Sequence, residues 1–318
     1  MIAAVGKSES LRDAYGKALV ELGEKDPKLV VMDADLSGST RTILFGQKYP
    51  DRFFNVGVME PTEMTIAAGL SLQGRTVFAS TFAVFAAGQA YNMVRQSICY
   101  NRANVKIVAT HGGLLVGPDG GTHQIVEDIG LMRGLPGMTV IVPADAPTTR
   151  AATFAVAERE GPAYVRLTRE NLPTVTDGSF RIGRAAELRS GSDLTIVAVG
   201  ALVARGLEVA EELAKVGVSV RVLDLASVKP FDAPALLRAA RDTGAILVLE
   251  EHSVLTGVGA LVASATSENY PVPVRRVGVP DVFGESGDAW ALLDRYGMSR
   301  ERIRDEAWEL LHLRGKVQ

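Results

Sequence analysis

FFNVGVMEPTEMTIAAGLSLQGRTVFASTFAVF, residues 53–85, sets two apolar runs on either side of a helix-length segment. Residues 54–58 and 76–80 are read as strands, and 62–72 as the helix that joins them. A strand, a helix and a strand in that order need a crossover, which marks a parallel pair. Outward from this unit the same alternation continues. Upstream, residues 10–22 bring Leu11, Ala14, Tyr15, Ala18, Leu19 and Leu22 to one helical face, with Ser10 as N-cap and Asp13 three residues later. LVVMD (29–33) follows as a continuous apolar run, the pattern of a strand covered on both faces. Downstream come strands at 105–110, 139–142 and 163–167, with helices at 84–100 and 147–160.

From residue 173 the text turns polar and poorly periodic, NLPTVTDGSFRIGRAAELRSGSD, and a domain boundary is placed near 175–190. A second alternating set begins at DLTIVAVG (193–200), with further strands at 218–225, 245–251 and 274–280. Its helices are read at 203–215, 233–242, 258–268, 288–295 and 300–312. The expected fold is α/β, two tandem doubly wound domains over 1–175 and 185–318. The length of 318 residues agrees with two domains at roughly 150 residues each.

Composition narrows the function. Lys+Arg 34 against Asp+Glu 37 leaves a net charge of −3, without the basic face that nucleic acid or a membrane surface requires. One cysteine, Cys99, excludes a disulfide scaffold, and the four histidines have no metal-ligand spacing. No apolar run approaches the roughly 20 residues that span a bilayer, and the N-terminus lacks the basic region of a leader, so the expected compartment is the cytoplasm.

In such folds ligands bind at the carboxyl ends of the strands. The loops there are DADLSGST (33–40), NVGVMEPTEM (55–64), TFAVF (81–85), THGGLLVGPDGGTHQ (110–124) and YVRLTREN (164–171). By spacing alone, Glu60 and Glu63 read first as acids favoured by the positive end of a helix. Asp33 and Asp35 read as turn and cap residues, and Phe82 and Phe85 as core. The 110–124 loop points to function by content, with two histidines, an aspartate and a run of glycines directly after a strand. Arg169 ends another strand and reads either as a surface ion pair or as an anion clamp.

Taken together, DADLSGST, NVGVMEPTEMTIAAGLSLQG, TFAVF, GPDGGTHQIVEDI and VIVPAD resemble, in order and spacing, the C-terminal half of a thiamine-diphosphate-dependent transketolase. The arrangement is most similar to the C-terminal subunit of a two-gene, or split, transketolase, with EEHSVLTGVG (250–259) and FGESG (283–287) as markers of the second domain. The resemblance implies a pyrimidine-binding domain followed by a transketolase C-terminal domain. It implies that Glu60 is the acid at N1′ of the cofactor's aminopyrimidine, that Phe85 and Phe82 pack on that ring, and that Asp35 lies nearby. On the substrate side it makes His123 the histidine at the reacting end of the sugar and Asp119 the reader of the hydroxyl next to the aldehyde. Arg12, Ser39, His111 and Arg169 would hold a terminal phosphate.

The implied reaction moves a two-carbon ketol unit from a ketose to an aldose. The family's GDG motif for Mg²⁺ and diphosphate is missing from the sequence, and no metal ligand is assigned to this chain. That half of the site is expected on an N-terminal partner subunit, in an α2β2 heterotetramer. Pro61, Thr62, Gly88 and the pair Gly112–Gly113 depart from the family pattern and leave the sugar open. The alternatives are another thiamine-diphosphate enzyme, 1-deoxyxylulose-5-phosphate synthase-like or like the β subunit of a 2-oxo-acid dehydrogenase, and a partner subunit without catalysis.

Overall fold

The computed structural model describes residues 6–317, so the apolar N-terminal stretch Met1–Val5 lies outside the described residues. The first helix, α1 (Leu11–Lys25), begins where the sequence places it, with the Ser10 hydroxyl accepting from the Asp13 N–H at 3.1 Å. Its buried face is Leu11, Tyr15, Ala18, Leu19 and Leu22.

Six parallel strands make most of the first sheet: β1 (Val30–Asp33), β2 (Phe53–Asn55), β3 (Val77–Phe82), β4 (Val105–Thr110), β5 (Thr139–Ile141) and β6 (Ala163–Arg166). In space they run β5-β6-β4-β3-β1-β2. Alternate residues of each strand feed opposite faces, and the inner strands β1, β3, β4 and β6 are buried on both, which is why they are mostly apolar. Val31, Phe78, Val108 and Val165 pack with α1 and the helix α3 (Ala146–Glu158). Met32, Ala79, Ile107 and Tyr164 pack with α2 (Glu60–Leu72) and the segment 84–100.

The second sheet holds β7 (Ala186–Arg189), β8 (Leu194–Ala198), β9 (Val220–Asp224), β11 (Ile246–Ser253) and β12 (Val274–Val279) in the order β12-β11-β8-β9-β7, with β7 an antiparallel edge. The helix Leu202–Ala214 and the C-terminal helix Arg300–Val317 cover one face, and Ala233–Thr243 with Val258–Asn269 the other. Both apolar cores run continuously from one sheet to the other. No described helix is long and apolar enough to cross a membrane.

Several boundaries differ from the sequence expectation, each for a local reason. The strand expected at 54–58 ends at Asn55, because the chain turns at Gly57, where φ is +76°. Helix α2 starts at Glu60 rather than 62, since Pro61 fits the first helical turn, where its missing N–H is not needed. The segment 84–100 is no regular helix: π-helical turns at Val84–Gln89 and Val94–Tyr100 flank a single α turn. The strand β10 (Ser227–Lys229) leaves the second domain and pairs antiparallel with β5, which adds a seventh strand to the first sheet. Three residues are too few to show an alternation, so the pattern hid it.

Candidate active site

The carboxyl ends of β3 and β4 lie side by side, in register at Phe82 and Thr110. The next residue after β4, His111, is laid flat on the Phe82 ring, with centroids 3.7 Å apart and planes 22° from parallel. Phe85 lies nearly parallel to Phe82 at 5.9 Å, and His123 returns from the glycine turn to stand edge-on to Phe85 at 5.8 Å. Phe82, read from the sequence as core, is buried, whereas Phe85 is only half-buried and stacks on it. Phe82 closes a strand, and Phe85 sits half-buried in the wide turn beyond it. His111 has φ +60°, a left-handed backbone that a histidine adopts only where its surroundings enforce it. Burial, with Arg12, Arg169 and His123 nearby, pushes its pKa down to about 3, so at neutral pH the imidazole is uncharged.

Two carboxyls of α2 are buried at the same edge of the sheet. Glu60, the first helical residue, is 1% exposed, and its Oε2 has no hydrogen-bond partner. Glu63, which the sequence assigned to the helix dipole, is fully buried against β3, where its Oε1 accepts from the Ser80 N–H at 3.0 Å. Burial, together with Asp33 and Glu60, pushes the Glu63 carboxyl well above the usual range. Both acids do lie in the first turn of α2, at its positive end, and both are buried there. Asp33 keeps its turn role, accepting from the Leu36 N–H and from the hydroxyls of Thr40 and Thr42. Burial still lifts Asp33 to about 6 against those three bonds. Asp35, with φ +66°, is exposed, and its carboxylate accepts from the Asn55 amide at 3.0 Å rather than joining the rings.

The anion group is joined through backbone carbonyls. Arg12, in the first turn of α1, donates from Nη1 to the Ser39 carbonyl and from Nη2 to the Arg169 carbonyl, both at 3.0 Å. Arg169 in turn donates to the Val116 carbonyl at 2.7 Å. Ser39 thus contributes its carbonyl, not its hydroxyl, to this framework. Burial above all, then the crowding of the Arg41 and Arg169 guanidiniums, lowers the Arg12 pKa against the opposing pull of Asp13 and Glu170. A negative group would relieve that crowding.

Asp119 is exposed on the GPDGG turn, which is backed by the second domain. The Gln124 amide donates to the Glu285 carbonyl at 3.0 Å, and a Cβ on Gly120 would overlap the Ser286 hydroxyl. Gly120 also has φ +77°, so glycine is needed there twice over. Among the described residues no group of three or more His, Cys, Asp or Glu is placed to hold a metal ion. A groove of about 1080 Å³ lies elsewhere, beside Cys99, Tyr100, Pro136 and Pro162 at the amino ends of the strands, and it gathers no histidine and one carboxylate, Glu160.

Sequence reading missed one cluster behind the site. Arg166, 4% exposed, pairs through Nε with Asp128 at 3.0 Å and lies with Nη1 3.7 Å from Glu251 of the second domain. The signal for it was present, an arginine inside the otherwise apolar run AYVRL and two acids at the end of the apolar run AILVLEE.

Known proteins resemble this chain over both domains. The sequence profile described as the transketolase pyrimidine-binding domain matches residues 7–175, and the transketolase C-terminal domain matches 183–303. A protein of Methanocaldococcus jannaschii provisionally named transketolase C-terminal section is 41% identical, over 97% of this chain and 98% of its own. A 6-deoxy-6-sulfo-D-fructose transketolase subunit of a Clostridium species is 40% identical, over 94% of each. A solved structure described as a split gene transketolase, an inactive β4 tetramer, is 51% identical, with TM-score 0.90 over 96% of this chain and 99% of that one.

Proposed function

This chain belongs to the transketolase family, and from that membership we propose that it is the C-terminal subunit of a split, thiamine-diphosphate-dependent transketolase. The reaction is transfer of a two-carbon ketol unit from a ketose to an aldose, both ending in an anion such as phosphate. The observation that carries the reading is Glu60, a carboxyl 1% exposed whose Oε2 has no partner, at the edge of the sheet that also presents the parallel rings of Phe82 and Phe85. An aminopyrimidine fits both features, with a ring nitrogen for the free oxygen and an aromatic face for the phenyl groups.

Thiamine diphosphate, when bound, supplies the carbon nucleophile and the electron sink for carbon–carbon cleavage. The residues of this chain do the rest. Glu60, screened from water, holds a proton at N1′ of the aminopyrimidine. His123 donates to the oxygens at the reacting end of the sugar, and Asp119 accepts from the hydroxyl next to the aldehyde. Arg12 and Arg169 provide the charge that holds the terminal anion, with neutral His111 as a further hydrogen-bond donor. Asp35 borders the cofactor from its exposed turn.

Diphosphate and Mg²⁺ are assigned to an N-terminal partner subunit, since the family's GDG motif is absent from this sequence. An α2β2 heterotetramer is the proposed assembly. The solved relative that is inactive as a β4 tetramer supports such a division of labour. The single, buried Cys99 suits a reducing compartment, and the cytoplasm is the proposed location. Calorimetric titration of thiamine diphosphate and Mg²⁺ tests the proposal, with the chain alone and then with its N-terminal partner. Binding only to the mixture supports it; tight Mg²⁺-dependent binding to the chain alone overturns the split site.

A further inference from the structure

Glu250, Glu251 and His252 stand near the carboxyl end of β11, and all three side chains are buried. They serve different partners. Glu250 stays within its own domain, accepting from the Val258 and Gly259 N–H groups at 2.6 and 2.8 Å, at the positive end of the helix Val258–Asn269. A Cβ at Gly257 would overlap that carboxylate, which accounts for the glycine in EEHSVLTGVG. His252 crosses to the first domain. Burial holds its pKa near 4, so it is neutral; Nε2 accepts from the Gly130 N–H at 3.2 Å, and Nδ1 donates to the Ser253 carbonyl at 3.0 Å.

Glu251 crosses furthest. Its Oε1 accepts from the Leu115 N–H at 2.6 Å, inside the first domain's ligand loop. Arg166 binds it as well, donating from Nη2 to the Glu251 carbonyl at 3.0 Å while Nε is held by Asp128. Tyr164 completes the set by donating to Asp128 at 2.7 Å. The loop is wound around this pair. Gly112 donates to the Leu167 carbonyl at 3.1 Å and Gly113 to the Ile125 carbonyl at 3.0 Å. A Cβ on Gly113, where φ is +82°, would strike both Glu251 and Arg166. One end of the loop is His111; toward the other, the Val116 carbonyl anchors Arg169.

We propose that Glu251 is a positioning residue: from the second domain, through the Leu115 N–H and Arg166, it fixes the loop 111–117 and so sets the placement of His111 and Arg169 for the substrate's anion. Glu251 accepts in a dry interior, where a hydrogen bond is stronger than in water, and the Leu115 N–H lies in an irregular segment with no strand partner to replace it. Glu251 itself touches no substrate. The inference rests on the reading of Arg12, His111 and Arg169 as an anion group, and its test separates the two.

Hydrogen exchange of the full chain reads the loop directly. In Glu251→Ala the amides of 112–117 should exchange about tenfold faster or more, while β3 and β4 keep their protection. Glu251→Gln, which retains an acceptor for Leu115, should recover most of that protection, and Glu250→Gln should leave the segment unchanged. If the alanine variant does not fold, Glu251→Met fills the space without an acceptor and should give the same loss. In the assembled enzyme, Glu251→Ala should lower the kcat/KM preference for a phosphorylated ketose over the same ketose without phosphate by about tenfold, with kcat on the latter nearly unchanged. Undisturbed exchange over 112–117 in a folded Ala or Met variant overturns the positioning role. A loosened loop in an enzyme with no phosphate preference leaves the positioning role standing and overturns the anion reading instead.

Discussion

Glu60→Gln is the substitution that asks most of the proposed chemistry. It exchanges one oxygen for an NH₂ at nearly constant volume, in a side chain 1% exposed at the first residue of α2. The fold should hardly notice. The variant keeps the side chain's volume and one acceptor oxygen, and an acid at a helix N-terminus is worth only about 0.3–1 kcal/mol, so the melting temperature should move by no more than a few degrees. The rate should fall far more. An acid placed to share a proton contributes about 10²–10⁴-fold, or about 2.7–5.4 kcal/mol at 1.36 kcal/mol per decade. The loss should lie in the upper part of that range, because at 1% exposure no bulk water can take over the proton. The assay is steady-state ketol transfer by the chain assembled with its N-terminal partner, with products separated by chromatography. Gel filtration and calorimetry of thiamine diphosphate check that assembly and cofactor are retained. Glu60→Asp keeps the acid but withdraws it by one methylene, and should retain part of the rate. A folded, assembled, cofactor-saturated Glu60→Gln enzyme within about threefold of the wild-type rate would refute the assignment.

Two further outcomes follow from the anion group. Arg169→Ala removes a guanidinium whose charge-assisted bond is worth about 1.5–3 kcal/mol, so kcat/KM for an anion-ended sugar should fall about 10- to 100-fold while its uncharged counterpart is little affected. Equal losses on both sugars would remove Arg169 from the anion site. His111 has a pKa of about 3 in the folded chain, against an ordinary histidine value of about 6.5. As the pH falls from about 6.5 toward 3, the unfolded chain takes up this proton first, and the folded state loses stability. Thermal melts at pH 7.5 and 5.0 should therefore show a larger drop for the wild type than for His111→Gln, and equal drops would count against a neutral, buried His111.

Much of the architecture was legible in the chain because its causes are local. Helix α1 follows from the spacing of Leu11, Tyr15, Ala18, Leu19 and Leu22 and from a serine cap three residues before Asp13. The parallel strands follow from short apolar runs such as VKIVAT, whose side chains are wanted on both faces. The candidate residues were legible to the extent that they follow a strand, as Glu60, His111 and Arg169 do. What stayed hidden depends on partners remote in sequence. That Phe82 lies against His111, that Glu63 is buried on Ser80, and that Ser39 serves through its carbonyl are products of neighbouring strands and loops meeting at one edge of the sheet.

The strand Ser227–Lys229 and the bond from Leu115 to Glu251, 136 residues away, belong to the same class. Periodicity and capping record what a residue asks of its immediate turn, so the sequence by itself determined the elements and the chemistry available at their ends. Which of those ends share a dry space was decided by tertiary packing, of neighbouring strands and loops within the first sheet and of the second domain's β11 against the first domain's loop, because the energy of a buried carboxylate or guanidinium depends on the partner brought to it and hardly at all on its neighbours along the chain.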